Sequence, residues 1–217
     1  MTRRSAVEAL GTAFLLASVV GSGIMAERLA GGNAALALLA NSLATGAGLI
    51  ALILAFEPYS GAHLNPLVTV TDAILGRRPW RDVWVYVAAQ TAGAFAGVAL
   101  ANAMFGEPLL ALSRHVRAGA PQVLGELIAT FGLLAIIFVS PRRSAGRMAV
   151  AIGGYVAAAY WFTSSTCFAN PAVTLARAVT DTFTGIRPTD VPGFIAGQFL
   201  GFVAVVGLLK WLIPRRV

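Results

Sequence analysis

Six long apolar runs, at 7–25, 35–56, 83–105, 122–139, 148–162 and 193–213, alternate with short polar connectors along the chain. A helix needs about 20 largely apolar residues to cross a bilayer, so each run predicts a membrane-crossing helix. Two further apolar runs are only half as long. One follows Ser60-Gly61-Ala62-His63-Leu64-Asn65-Pro66-Leu67 and stops near Leu75-Gly76. The other follows Cys167-Phe168-Ala169-Asn170-Pro171-Ala172 and stops near Thr180-Asp181. Asn is a preferred N-cap, and Pro suits the first helical position because its missing N–H would be unpaired there anyway. The pattern therefore predicts two short helices, each opening at Asn-Pro and ending inside the membrane, as in broken-helix transport folds.

The two halves of the chain, about 1–105 and 121–213, repeat one order of polar landmarks. Glu8, Asn65-Pro66 and Gln90 answer Glu126, Asn170-Pro171 and Gln198. Three crossings per half is an odd number, so the second half must enter the membrane inverted. The half-helices then meet N-terminus to N-terminus near the midplane of a single domain spanning 1–217. The basic residues give an orientation. With the N-terminus inside, Arg3, Arg4, Arg77, Arg78, Arg81, Arg142, Arg143, Arg147, Lys210, Arg215 and Arg216 face the cytoplasm. Only Arg28, Arg114, Arg117, Arg177 and Arg187 face out, so both termini are expected in the cytoplasm and the protein in the inner or plasma membrane.

Composition narrows the class. The chain is 58% hydrophobic and 12% charged, with mean hydropathy +0.78, beyond what a soluble domain tolerates. Its net charge of +7 comes from loop edges and termini rather than a basic stripe, so no nucleic-acid partner is expected. One cysteine, Cys167, excludes an internal disulfide and a cysteine-built metal cluster. Met1-Thr2-Arg3-Arg4 resembles the start of a signal peptide, but the apolar run after it is too long, so it reads as an uncleaved first helix. No catalytic constellation, cofactor motif or metal cluster is present, which predicts a protein that is not an enzyme.

Residues 60–66, Ser-Gly-Ala-His-Leu-Asn-Pro, resemble the first re-entrant loop of the major intrinsic proteins, the aquaporins and aquaglyceroporins, almost letter for letter. Asn170-Pro171-Ala172 matches that family's second signature, and Glu8, Glu126, Gln90 and Gln198 fall at its landmark positions. The resemblance covers essentially the whole chain. It implies an all-α fold, a right-handed bundle of six transmembrane helices plus two half-helices, with one pore per protomer and a homotetramer in the lipid bilayer. It also implies that Glu8 and Glu126 support the re-entrant loops and that Gln90 and Gln198 brace the core. The alternative for the two acids is proton coupling, since intramembrane carboxylates are functional candidates.

Two departures shape the expected selectivity. Leu67 stands where the family usually has Ala, and either shifts the first half-helix or narrows the centre. Val173 stands where water and glycerol channels carry the constriction Arg. Family spacing places the other constriction residues at Thr45, Ala158 and Cys167. This small, uncharged set resembles the members associated with bacterial arsenic resistance. It implies a passive pore for neutral solutes such as glycerol, urea or arsenous acid as well as water. The alternatives are a water-selective channel, an ion-coupled transporter and a structural junction protein with negligible flux.

Within the pore, the loop carbonyls at 61–64 and 165–169, from Gly61 and Ser165 onward, are expected to line the lumen. His63 is expected to pack the loop or the cytoplasmic mouth. Cys167 is expected to be a small wall residue open to mercurials. Asp72 and Arg177 each lie seven residues after an Asn, about two turns, so each either faces roughly as its Asn does or sits in the interfacial region.

Overall fold

The computed structural model describes residues 3–139 and 145–212. Arg142, Arg143, Arg215 and Arg216 of the expected cytoplasmic set lie outside these residues. Eight α-helices follow in order: α1 (Arg3–Leu29), α2 (Ala34–Ser60), α3 (Pro66–Ile74), α4 (Trp80–Phe105), α5 (Ala120–Val139), α6 (Ala145–Phe162), α7 (Pro171–Arg177) and α8 (Val191–Leu212). A single 3-10 turn, Pro188–Asp190, precedes α8. The helices α1, α2, α4, α5 and α8 are long and apolar enough to cross a membrane; α6, at 18 residues, is the sixth long helix.

The expected ends of several helices need correction. α1 starts four residues earlier and ends four later than its apolar run, and α2 continues past Phe56 to Ser60. Backbone pairing carries helices into the polar zone until a cap stops them. Asn33 caps α2 by accepting from Leu36 N at 3.1 Å, and Gly61, at φ 93°, turns the chain out of its other end. α7 is shorter than expected and stops at Arg177. There the N–H groups of Ala178 and Val179 turn back to Leu175 and Ala176. The carbonyls of Ala178 and Val179 instead accept from Ser113 and Ala111 in the connector, at 3.0 and 2.9 Å.

In each half, glycine lets two backbones touch. α1 packs on α2 and α4, while α5 packs on α8 and α6. A Cβ at Gly93 or Gly97 of α4 would run into the Ala9 or Ala13 carbonyl of α1. A Cβ at Gly197 or Gly201 of α8 would run into the Val123 or Leu127 carbonyl of α5 in the same way. α2 meets α6 along a third close approach, where a Cβ at Gly46 would stand 2.8 Å from the Gly153 carbonyl. Small-residue contacts of this kind are the usual basis of helix association where lipid removes the hydrophobic driving force.

Large apolar side chains such as Leu43, Trp84, Leu124, Phe199 and Trp211 point outward and are mostly exposed, while Glu8, Gln90, Glu126 and Gln198 are fully buried. This inside-out polarity is that of a chain whose outer solvent is lipid.

Candidate functional site

The two Asn-Pro turns meet inside the bundle and lock each other. The Asn65 side chain caps α3 by accepting from Leu67 N at 2.9 Å. The Asn170 side chain caps α7 by accepting from Ala172 N at 3.0 Å and Val173 N at 3.3 Å. Each carboxamide also donates to the opposite loop: Asn65 Nδ2 to the Ala169 carbonyl and Asn170 Nδ2 to the Leu64 carbonyl, both at 2.8 Å. An amide nitrogen carries two hydrogens, so one remains on each Asn for a solute. Both Asn residues border a continuous cavity of about 510 Å³.

Glu8 and Glu126 hold the loops from behind. Glu8 accepts from Ser60 Oγ at 2.6 Å, His63 N at 3.0 Å, Leu64 N at 2.8 Å and Gln90 Nε2 at 2.8 Å. Glu126 accepts from Phe168 N and Ala169 N, both at 2.9 Å, and from Gln198 Nε2 at 2.5 Å. Each Gln also donates to a half-helix Thr, Gln90 to Thr69 at 3.0 Å and Gln198 to Thr174 at 2.7 Å. The matched networks give the two repeats one construction. Neither carboxylate borders the cavity, so neither stands on a proton path along it. The loops need this hold because Ala62, Leu64, Thr166, Cys167 and Ala169 all adopt left-handed backbone, with φ between 45° and 60°. Such conformations are strained for non-glycine residues and persist only when surrounding contacts impose them.

Gly61, His63, Asn65, Thr45, Cys167, Asn170 and Val173 all border the cavity. Three expectations need correction. Ala158 is exposed on the outer face of α6, and Tyr160 takes its place. Ile152, Val156 and Tyr160 recur every four residues and so share the inner face, whereas Ala158 is turned about 200° from Tyr160. Tyr160 Oη donates to Thr45 Oγ1 at 3.3 Å across the lumen wall. Ser165 is fully buried and away from the cavity, its carbonyl taken by Arg117 Nη1 at 3.5 Å. Leu67 does not narrow the centre; it packs into an apolar cluster with Leu134, Phe138 and Phe202, while Val68 faces the lumen.

Charged side chains stand at both ends of the cavity. At the α3 end, Asp72 lies 3.6 Å from His63 Nε2 and 3.5 Å from Arg78 Nε, and Arg78 stacks over Tyr86 at 4.1 Å. At the α7 end Arg177 borders the lumen. Sequence reasoning missed Arg117, which gives no local signal. Its Nε donates to the Gly185 carbonyl at 2.8 Å and its backbone N–H to Asp190 at 2.9 Å, both partners more than 60 residues away.

The connector is also tied down by Asp181, which accepts from Arg114 N at 2.8 Å and Arg114 Nε at 2.7 Å. These bonds hold the Asp181 pKa below its ordinary value of 3.8. A depressed carboxylate contributes stability that is present above its unfolded pKa and lost as pH falls through its folded pKa. Protease cleavage within 106–119 should therefore rise only below about pH 4. Asp181→Asn should give the faster cleavage already at neutral pH and remove the pH step.

A lipid-faced bundle with two half-helices abutting at capping Asn residues along one cavity defines a channel-type membrane protein. The chain belongs to the major intrinsic protein family: a family model with the description Major intrinsic protein matches residues 1–165. That match stops before Asn170, and a full-length relative covers the remainder. The chain is 52% identical over 217 residues to "Aquaglyceroporin AqpS" of Rhizobium meliloti (strain 1021), covering 100% of this chain and 93% of the relative. It is 32% identical over 204 residues to "Aquaporin NIP1-4" of Oryza sativa subsp. japonica, covering 91% and 72%. The fold matches the X-ray structure of the aquaglyceroporin from Plasmodium falciparum with a TM-score of 0.75, covering 96% of this chain and 94% of that one, at 20% identity. The protein is thus a multi-pass membrane channel for small neutral solutes and not an enzyme.

Proposed function

We propose that this channel passes neutral hydroxylated solutes larger than water, with glycerol, urea and arsenous acid as the size class, in addition to water. The observation that carries this reading is Val173, which lines the lumen together with Cys167, Thr45 and Tyr160, at the position where the family resemblance expects an Arg. A short aliphatic side chain there leaves both width and an apolar surface for carbon-bearing solutes. The opposite requirement, a polar path, rests on the Asn65 and Asn170 amides and on the loop carbonyls at 61–63 and 167–168. These groups replace the solute's water shell, which a neutral molecule can exchange and an ion cannot do cheaply. The full-length relative's printed name, an aquaglyceroporin, supports the same reading. The protein sits in the inner or plasma membrane with both termini cytoplasmic, as the basic residues favour, and assembles as a homotetramer.

The test is stopped-flow light scattering of proteoliposomes under sorbitol, glycerol and arsenous acid gradients. Wild type should re-swell rapidly in glycerol and arsenous acid. Val173→Arg should slow that re-swelling by about tenfold or more while sparing water-driven shrinkage. Fast shrinkage without solute re-swelling in wild type would instead assign a water-selective channel.

A further inference from the structure

Arg177 closes α7, seven residues after Asn170 and four after Val173. Four residues is about one turn, so Arg177 lies on the helix face that Val173 presents to the lumen, one turn further from the centre. Its side chain borders the cavity, although the residue is only 2% exposed. The guanidinium carbon lies 3.4 Å from the centre of the Phe168 ring, and Nε donates to the Thr184 carbonyl. Among the described residues, neither terminal nitrogen has a protein acceptor and no carboxylate stands within ion-pair distance.

The acids on neighbouring elements are committed elsewhere. Asp181 is held by Arg114, Asp190 by Arg187 and the Arg117 backbone, and Glu126 by the loop amides. A second guanidinium, Arg117, lies over the same Phe168 ring at 5.1 Å and bonds only to carbonyls and a hydroxyl. Charged side chains are almost never fully buried unless paired. Two guanidiniums around one ring with no carboxylate against either is therefore an arrangement that packing alone does not favour.

We propose that Arg177 is the selectivity cation of the outer lumen, standing one turn beyond the constriction that Val173 leaves uncharged. It repels hydronium and metal cations and donates hydrogen bonds to oxygen-rich neutral solutes. This rests on reading the cavity as the solute path. A fixed unit charge within about 10 Å of a passing cation raises its barrier by about tenfold, even at an effective dielectric constant of 20. A neutral solute pays no such cost and finds open N–H donors in exchange for its waters. The stack on Phe168 orients the planar group against the wall, so the charge acts on the lumen without closing it.

The experiment measures two fluxes on the same proteoliposomes: glycerol re-swelling, and proton influx driven by a potassium diffusion potential and read with an enclosed pH dye. Arg177→Met keeps an unbranched stem over Phe168 and removes the charge. It should raise proton influx about tenfold. Arg177→Lys should keep influx near wild type. Val173→Glu places a carboxylate one turn before Arg177 on the same face, so it cancels the charge with the stack intact and should leak like Arg177→Met. Either charge-removing variant, Arg177→Met or Val173→Glu, decides the matter once it reaches the membrane. Wild-type influx in Arg177→Met or Val173→Glu, or a Lys variant as leaky as Met, overturns the proposal. A wild-type channel that passes no glycerol would sink the solute reading instead, while the influx comparison would still report on Arg177.

Discussion

Glu126→Leu should yield no monodisperse channel in detergent. The substitution strands three buried donors, the N–H groups of Phe168 and Ala169 and the Gln198 amide. Each stranded donor costs about 1–3 kcal/mol, so the sum is roughly 3–9 kcal/mol. Folded domains hold a margin of only about 5–15 kcal/mol. The second loop also contains three of the five left-handed non-glycine residues, which would lose the anchor that keeps them there. Glu126→Gln keeps one acceptor oxygen and should assemble with a lowered unfolding midpoint. Glu8→Leu should fail in the same way, since Glu8 gathers four donors. Size-exclusion profiles and thermal unfolding of the purified variants check this; a Glu126→Leu peak with a wild-type midpoint would remove the carboxylates from the scaffold.

The second large effect concerns single methyl groups. Gly93→Ala and Gly197→Ala each place a Cβ against the backbone of a neighbouring helix, where no side chain can swing aside. Overpacking typically costs about 1–3 kcal/mol, and here the whole helix pair must part to relieve it. Gly207→Ala and Gly154→Ala meet nothing within 4 Å. They should be neutral or slightly stabilising, since Ala exceeds Gly in helix propensity by up to about 1 kcal/mol. Unfolding midpoints of the four variants should therefore fall into two separated groups. Equal midpoints for Gly93→Ala and Gly207→Ala would show that close backbone approach is not what joins α1 to α4.

The parts of the site that were legible in the sequence are those built twice. Glu8, Asn65 and Gln90 recur as Glu126, Asn170 and Gln198; the repeated order implied two half-helices meeting at the midplane, and the family resemblance implied the support by the two carboxylates. The half-helix spacing left Asp72 and Arg177 open between lumen and interface; both border the cavity. Tyr160 was missed because counting back from Asn170 crosses the non-helical stretch before it, where residues do not advance by a fixed angle. The period of four through Ile152, Val156 and Tyr160 was the signal available. Arg117 could not be found from spacing, because its partners gather only once the connector folds back over the second half. Helix ends were misjudged for a different reason: hydropathy marks the edge of the oily zone, whereas caps such as Asn33 and Gly61 mark the end of the helix.

The crossed bonds between the Asn turns have a consequence for biosynthesis. Asn65 donates to Ala169, 104 residues further along the chain. At synthesis rates of about 5–20 residues per second, the acceptor emerges roughly 5–20 s after the donor. During that interval the first re-entrant segment must wait in the membrane without its counterpart. Glu8 and Gln90 are the groups that can hold it meanwhile, Glu8 made well before the turn and Gln90 shortly after it. The first half of the polypeptide thus carries its own temporary clamp, and the second half completes the pore only when its own turn arrives.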